Sequence, residues 1–371
     1  MHGKILGLMG LGVALAGTAS AVLFGTDYNN IEYLCCDWGS ALPLPTKTNE
    51  VAQFIETEDE VYFLKQVTSF TRKKRLVPDL FSNQDHEDIG KGLSIYLCKM
   101  KPDGSAKTEI KELWRDPAYP ISTQMQSTWM DVNRKTHTIA LSIIFAGSDL
   151  TGLWSVKQDG SELHKIIKPS LIEGHLQAID SPSWTPDGKW IVFAEAQRGE
   201  GGRGRIAKCD RQGQKLIYLT EGPGDCQSRV SPSGQEIVYI HWIIKGNVQD
   251  SWLWLMNING TNPRPLPNPE AKKFWPAQAH WGTYPTWSPD GKQILSSRCI
   301  IDTTSGNTLI DREPQYKGKP YTYGWPHWGK AGIVGYNVGG ILFTDSELRE
   351  AKWIGSSGLS KCFGKADADR W

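Results

Sequence analysis

The chain has 371 residues, which is enough for a large core in one domain or two. Its formal net charge is +1, so bulk electrostatics give no support for binding to nucleic acid. Sixteen Trp residues together with 38 Gly and 21 Pro favour an all-β protein over a helical one.

The N-terminal segment has the features of a secretory signal peptide. Lys4 gives a basic start, residues 5–15 form an apolar run, and Ala19-Ser20-Ala21 provides a small-x-small cleavage site. The apolar run is shorter than the roughly 20 residues of a membrane span. We therefore expect cleavage of residues 1–21, export of the chain and no membrane insertion after cleavage.

The remaining residues, 22–371, contain a repeated turn phrase, and each copy is followed at once by an apolar strand. The three clearest copies are Trp184–Lys189, Val230–Gln235 and Trp287–Lys292. Pro fixes φ at the first central position of such a turn, and Gly supplies the positive φ that a hairpin needs. A second Gly turn follows about 25 residues later in most units, as at Asn259-Gly260-Thr261. One unit therefore has four strands, which is the plan of a propeller blade.

The spacing of the turn phrase predicts the number of units. The residue before the turn falls at Trp129, Trp184, Val230, Trp287 and Trp328, close to the 40–50 residues expected per blade. An earlier degenerate unit surrounds residues 58–60. A further unit could join residues 31–34 to residues 351–354. The sequence thus predicts an all-β fold, a single seven-bladed β-propeller over residues 22–371, with six blades as the alternative.

Two motifs carry a family resemblance. Trp287–Lys292 with its following strand, and the turn Met256–Thr261, resemble the repeats of TolB-like (WD40-like) β-propeller proteins. The resemblance is clear over residues 120–300. It implies the fold and says little about function, because propellers serve as lyases, peptidase adaptors and interaction modules.

The whole-chain layout is similar to that of a second group, the propeller (beta) subunits of the hydrazine synthase complexes of anammox bacteria. The shared features are an export signal and one propeller without a haem-attachment motif. This resemblance implies no catalysis by this chain alone and no cofactor of its own. It implies haem c on partner subunits that combine nitric oxide and ammonium into hydrazine. The chain would scaffold or gate that chemistry in the periplasm or the anammoxosome lumen.

Long connections are expected on the face opposite the Ser-Pro-Asp-Gly turns, at 70–92, 196–205 and 243–250, and long loops on a rigid scaffold are where binding residues concentrate. We expect partner binding at the 243–250 loop and at nearby Trp residues, since Trp is common in interface hot spots. The candidate residues are Lys245, Gly246, Asn247, Val248, Gln249, Asp250, Trp252, Trp275, Trp281 and Trp325.

Three histidines allow a different interpretation. His175, His280 and His327 each precede the first strand of a unit, and the tripeptide His-Trp-Gly occurs at both His280 and His327. Neutral imidazoles could bind a metal ion there, as in the metal-dependent polysaccharide lyases that share the propeller fold. The alternative is that these side chains form hydrogen bonds within turns and pack on Trp. A TolB-like adaptor is a further alternative function.

Cysteines and one basic run complete the sequence-based expectations. The seven Cys of an exported chain permit disulfides, with Cys209–Cys226 as a local pair or Cys35 or Cys36 with Cys362 as a link between the ends. The basic run 72–75 lies in the first long loop, where it is either solvated or binds an anionic surface.

Overall fold

The computed structural model describes residues 25–32, 49–57, 60–74, 86–116, 125–145, 150–168, 171–172, 175–197, 204–222, 224–245, 248–266, 284–296, 299–312, 315–316, 319–320, 324–330, 332–337 and 340–356. The predicted signal peptide at 1–21 and the cysteines Cys35, Cys36 and Cys362 lie outside these residues. Over the described part the regular elements are β-strands. No helix there is long and apolar enough to cross a membrane.

The strands form six sheets of four or more antiparallel strands, taken in chain order. Sheet 1 contains β1 (Gly25–Glu32), β2 (Asn49–Thr57), β3 (Glu60–Lys74), β4 (His86–Met100) and β5 (Thr108–Asp116). Sheet 2 contains β6 (Met125–Asn133), β7 (Thr138–Phe145), β8 (Gly152–Lys157) and β9 (His164–Ile167). Sheet 3 contains β10 (Leu171–Ile172), β11 (His175–Trp184), β12 (Trp190–Gln197), β13 (Gly204–Asp210) and β14 (Leu216–Tyr218).

The second half of the chain follows the same order. Sheet 4 contains β15 (Asp225–Val230), β16 (Glu236–Lys245), β17 (Val248–Asn257) and β18 (Arg264–Pro265). Sheet 5 contains β19 (Thr286–Trp287), β20 (Gln293–Ser296), β21 (Cys299–Asp302) and β22 (Thr308–Asp311). A short pair, β23 (Gln315–Tyr316) and β24 (Lys319–Pro320), precedes sheet 6, which contains β25 (Gly324–Trp328), β26 (Ile333–Asn337), β27 (Gly340–Thr344) and β28 (Ala351–Ser356).

The sheets are arranged as a ring around their first strands. β2 contacts β6, β6 contacts β11, β11 contacts β15, and β19 contacts β25. Sheets 4 and 5 share a hydrophobic core, and β2 contacts all four strands of sheet 6, so sheet 1 closes the ring. The predicted all-β propeller is confirmed.

The strands assigned to a seventh blade pair elsewhere. β1 pairs with β3 in sheet 1, and β28 pairs with β27 in sheet 6. The prediction that these two segments join each other is therefore wrong. The described residues form the six sheets of the alternative count, and the blade number of the whole chain stays a prediction.

The repeated turn phrase works as the sequence predicts. In sheet 3, Thr185 Oγ1 donates to Asp187 Oδ1 at 2.6 Å and accepts from the backbone N–H of Trp190 at 3.1 Å. Ser288 makes the equivalent contacts in sheet 5, at 2.6 and 2.9 Å. The glycine of each turn has φ between 71° and 73°. A non-glycine residue is rarely found at such angles, which explains why the motif recurs.

A second repeated contact joins neighbouring sheets. In sheets 2, 3 and 5 the side chain two residues before the turn accepts a hydrogen bond from a backbone N–H of the next sheet. The contacts are Trp184 N to Asp131 Oδ2 at 2.6 Å, Val230 N to Ser183 Oγ at 3.1 Å and Trp328 N to Thr286 Oγ1 at 3.4 Å. Between sheets 4 and 5 the Trp287 indole N–H donates to the Arg229 carbonyl at 3.1 Å instead. These bonds fix the position of each sheet relative to the next one along the direction of the strands.

Apolar side chains fill the layers between adjacent sheets, and the described cysteines belong to these layers. Cys209 lies in the layer between sheets 2 and 3. Cys226 packs against the layer between sheets 3 and 4 and against the layer between sheets 4 and 5. Both are free thiols. The predicted Cys209–Cys226 disulfide is therefore wrong, because the two residues lie in different inter-sheet layers.

The inter-sheet bond of Ser183 leads to a stability prediction. We expect Ser183→Ala to lower the free energy of unfolding by about 1–3 kcal/mol, because the buried Val230 N–H loses its acceptor. Gln235→Ala, which shortens an exposed side chain of the adjacent turn, is the control and should change the free energy by less than about 0.5 kcal/mol. Urea unfolding followed by Trp fluorescence measures both. Equal midpoints for the two variants would contradict the proposed role of the inter-sheet bond.

Two glycines share the same φ but differ in their surroundings, so substituting each one distinguishes the cost of steric crowding from the cost of backbone strain. Gly213 and Gly291 both have φ 73°. A Cβ at Gly213 would overlap the carbonyl oxygen of Ile166, whereas at Gly291 the nearest atom would be Pro232 Cδ at 3.7 Å. We expect Gly213→Ala to lower the thermal unfolding midpoint clearly more than Gly291→Ala, by the equivalent of at least about 1 kcal/mol. Equal shifts would mean that backbone strain alone decides the cost.

Candidate partner-binding face and axial cluster

The predicted loop at 243–250 is a paired hairpin. β16 and β17 pair from Glu236↔Asn257 to Lys245↔Val248. Their inner neighbour β15 begins at Asp225, opposite His241. The hairpin beyond residue 242 therefore projects past its sheet, on the face opposite the Ser-Pro-x-Gly turns. The expectation of a loop is wrong here, because β16 and β17 stay paired as far as Lys245 and Val248.

A second hairpin projects on the same face. β3 and β4 pair as far as Lys74↔His86, although β2 accompanies β3 only to Gln66. β1 pairs along the projecting part of β3. We call the two projections, residues 67–74 with 86–93 and residues 243–250, the hairpin arms.

The first three residues of the basic run, Arg72, Lys73 and Lys74, lie in the first arm rather than in a loop, which corrects the sequence-based expectation. Arg72 is opposite Asp88 and Lys73 is opposite Glu87 in the register of β3 and β4. Arg75 lies outside the described residues. The described part of the run therefore belongs to a paired hairpin.

The other predicted partner-binding residues are placed as follows. Val248, Gln249 and Asp250 begin β17 and Lys245 ends β16, so they belong to the second arm. Trp252 is 5% exposed and its indole N–H donates to the Leu266 carbonyl at 3.2 Å, so it is part of the core. Trp325 lies in β25, and its side chain is outside the described part. Gly246, Asn247, Trp275 and Trp281 also lie outside it.

A histidine–carboxylate pair fixes the base of the second arm. His241 Nδ1 lies 2.6 Å from Asp225 Oδ1, and its ring centroid is 4.6 Å from that of Trp254. The backbone N–H of Trp242 donates to the Gly224 carbonyl at 2.8 Å. The arm therefore starts from a rigid support. Sequence reasoning did not select Asp225, although its place at the start of a first strand could have suggested it.

Ionisable residues gather where the first strands surround the axis. Asp131, Arg229 and His327 each occupy the position two residues before a turn, in sheets 2, 4 and 6. We call these three residues the axial cluster. Burial lowers the pKa of Arg229, and the charges of Asp131 and Asp180 oppose that shift. Arg229 Nη1 also donates to the Pro182 carbonyl at 2.9 Å. Arg229 is thus held between two carboxylates and a carbonyl.

The two other members of the axial cluster have shifted pKa values. Burial raises the pKa of Asp131 to about 6, although Arg229 and the Trp184 N–H pull it down. Burial, followed by the charges of Arg229 and Arg134, lowers the pKa of His327 to about 3. His327 is therefore neutral at pH 7. Its Nε2 is buried with no hydrogen-bond partner in the described part of the chain.

Two aromatic rings meet across the axis. Trp129 of sheet 2 and Tyr284, which leads into sheet 5, are both buried, and their ring centroids are 6.4 Å apart. Next to them the first strands of sheets 3 and 4 have bulges that contain Ser181 at φ 47° and Gln227 at φ 54°. Bulges redirect side chains locally. The axis is therefore occupied by side chains at this level.

The predicted metal site of His175, His280 and His327 stays a prediction. His175 begins β11, eight residues before Ser183, and its side chain is outside the described part. Ser183 holds the same register position as His327, so the backbone of His175 lies at a different level of its strand from that of His327. His280 is outside the described residues, among which no three His, Cys, Asp or Glu side chains are grouped as metal ligands.

No protein-family model matches the chain, and no curated protein matches it. Several solved structures are similar. TolB from Acinetobacter baumannii is 12% identical with a TM-score of 0.44, covering 82% of this chain and 78% of that one. An oligogalacturonate lyase in complex with manganese is 15% identical with a TM-score of 0.43, covering 72% and 65%. Kuenenia stuttgartiensis hydrazine synthase is 13% identical with a TM-score of 0.39, covering 68% and 41%.

The raised pKa of Asp131 predicts a pH dependence of stability. The folded state keeps the proton of Asp131 up to about pH 6, whereas the unfolded chain loses it near pH 4. The contribution of Asp131 to the free energy of unfolding therefore falls as the pH rises from about 4 to 6, and it is constant above. Asp131→Asn should remove this fall in urea unfolding measured at several pH values.

Asp103→Asn is the matched control for that experiment. Asp103 is exposed, and hydrogen bonds from Ser105 lower its pKa. Its contribution is therefore present above its ordinary pKa and is lost only as the pH falls below about 4. Parallel profiles for the wild type and Asp131→Asn between pH 4 and 6 would show that burial does not control this carboxyl.

Proposed function

We propose that this chain is a non-catalytic, exported propeller subunit that docks onto partner proteins through the face carrying the two hairpin arms. The observation that supports this proposal is the joint projection of two paired hairpins on one face. Paired strands are stiffer than irregular loops, so they lose less conformational entropy when a partner binds.

The arms also present backbone groups suited to docking. Beyond residue 242, β16 has no strand of its own sheet beside it other than β17 among the described residues. Open strand edges carry N–H and C=O groups that an extended segment of another protein can pair with. In the first arm β1 already uses one edge of β3 in this way. We infer that the second arm receives a segment of a partner.

The partner class follows from the sequence resemblance to hydrazine synthase beta subunits. On that basis we propose that the partners are haem-bearing subunits of a redox complex, with haem c bound only by them. The chain would scaffold or gate their chemistry in the periplasm or the anammoxosome lumen. A TolB-like adaptor would use the same face with partners that lack haem.

The polysaccharide-lyase alternative receives less support from the axial cluster. Burial is the main cause of the lowered pKa of His327, and the cations Arg229 and Arg134 lower it further. A metal cation beside this imidazole would be repelled by these two cations. The axial cluster therefore gives a metal site at His327 less support than the hairpin arms give to docking.

Shortening the second arm tests the proposed function. Replacement of residues 243–250 by Asn-Gly joins Trp242 to Ser251, which face each other in the ladder, through a two-residue turn. We expect the tagged wild-type chain to retain haem proteins from an extract of its source cells, read by haem staining and absorption spectra. The shortened variant should lose them.

Lys189→Gln, which changes the opposite face, is the control and should retain the same proteins. Circular dichroism and the thermal midpoint verify that both variants are folded. The proposal fails if the wild type retains no haem protein or if the shortened arm makes no difference. Turnover of a substrate by the isolated chain, or a tightly bound metal lost on His280→Ala and His327→Ala, would favour the enzyme instead.

A further inference from the structure

A polar cavity lies on the turn face, between sheets 2 and 3. Its volume is about 120 Å³, well above the roughly 10–15 Å³ that one water molecule needs. It is bounded by turns and strand ends of both sheets, including Thr138, Lys157, Trp184 and Arg211. This face is opposite the hairpin arms, so the cavity is separate from the proposed docking surface.

Close packing of two turns builds the cavity wall. A Cβ on Gly188, whose φ is 71°, would come within 2.7 Å of Thr136 Cγ2. Asn133 Nδ2 donates to the Thr185 carbonyl at 2.9 Å, and Asn133 Oδ1 accepts from the Thr136 N–H at 2.9 Å. The wall is therefore fixed before any ligand arrives, which lowers the entropic cost of binding.

The described residues that line the cavity carry an excess of positive charge. Lys157 and Arg211 supply two cations, against one carboxylate, Glu162. Lys157 Nζ is 4.0 Å from Glu162 Oε2, and the Glu162 side chain is 67% exposed. An ion pair of that length and exposure contributes little. Lys157 Nζ also donates to the Thr136 carbonyl, at the long distance of 3.4 Å, which leaves its other two N–H groups for an anion. Arg211 is exposed at the edge of the cavity.

The other polar groups of the lining supply hydrogen bonds. His164 Nδ1 lies 2.8 Å from the Glu162 carbonyl, which can only accept, so Nδ1 carries a proton and the ring orientation is fixed. Ser155 has a hydroxyl and Gln212 an amide group that can donate, whereas Thr138 Oγ1 already donates to the Thr136 carbonyl at 3.1 Å. Trp184 forms the aromatic wall.

Two of the repeated Trp residues leave their indole N–H without an acceptor. The N–H groups of Trp129 in sheet 2 and Trp184 in sheet 3 are buried with no acceptor among the described residues. Their equivalent in sheet 5, Trp287, donates to a carbonyl of the preceding sheet at 3.1 Å. An unpaired indole is therefore a feature of this repeat, and the two cations remain the groups of the cavity that can hold a ligand.

We propose that this cavity binds a small oxyanion, a phosphate or a carboxylate group, held by Lys157 and Arg211. Arg pairs with such groups through two parallel hydrogen bonds, and Lys adds a point charge. The volume suits one such group, either as a free ion or as the end of a larger molecule.

Titration with inorganic phosphate and, separately, with acetate tests the proposal on the full mature chain by isothermal calorimetry. We expect saturable binding of at least one of them. Lys157→Gln and Arg211→Gln should each weaken the affinity about tenfold, the effect of losing one charge-assisted hydrogen bond. Binding of phosphate alone or acetate alone assigns the class of ligand.

Lys292→Gln is the matched control, because Lys292 is an exposed cation of the equivalent turn in sheet 5, away from the cavity. It should leave the affinity unchanged. The proposal is overturned if neither ion binds, or if the Lys157 and Arg211 variants bind as well as the wild type. Arg211 and Lys292 are exposed and Lys157 is partly exposed, and the thermal midpoint of each variant verifies folding.

Discussion

One hydrogen bond, repeated from sheet to sheet, organises this propeller. A side chain two residues before the turn accepts a backbone N–H from the next sheet, as in Ser183 to Val230. Apolar packing between sheets is not directional, so it does not fix how far one sheet slides along its neighbour. The bond fixes that distance. It also forces a polar residue onto a position that would otherwise be hydrophobic.

The axial cluster is a consequence of this constraint. In sheets 4 and 6 the same position holds Arg229 and His327 instead of a small acceptor. These longer side chains reach the axis, where Arg229 balances Asp131 and Asp180. Removing one partner of such a group leaves a buried charge without compensation. The position two residues before the turn therefore affects both the contact between sheets and the charge balance at the axis.

Some of this structure could be predicted from the sequence, and the reasons differ between elements. The glycine turns were predictable because positive φ restricts the residue type, and they led to the correct fold. The hairpin arms were mistaken for loops because polar and basic residues such as Arg72 interrupt the apolar pattern. Gly246-Asn247 between two strands is a hairpin signal that could have corrected this. The axial cluster and the Gly188 cavity depend on contacts between distant repeats, which spacing along the chain does not reveal.

The meeting of Trp129 and Tyr284 on the axis has a mechanical consequence. The two rings are tilted by 46° to each other and come from sheets 2 and 5, which are not neighbours in the ring. Contacts between adjacent sheets bind each sheet only to the next one. A contact between two non-adjacent sheets ties opposite parts of the ring to each other directly, so it resists a change in the diameter of the ring.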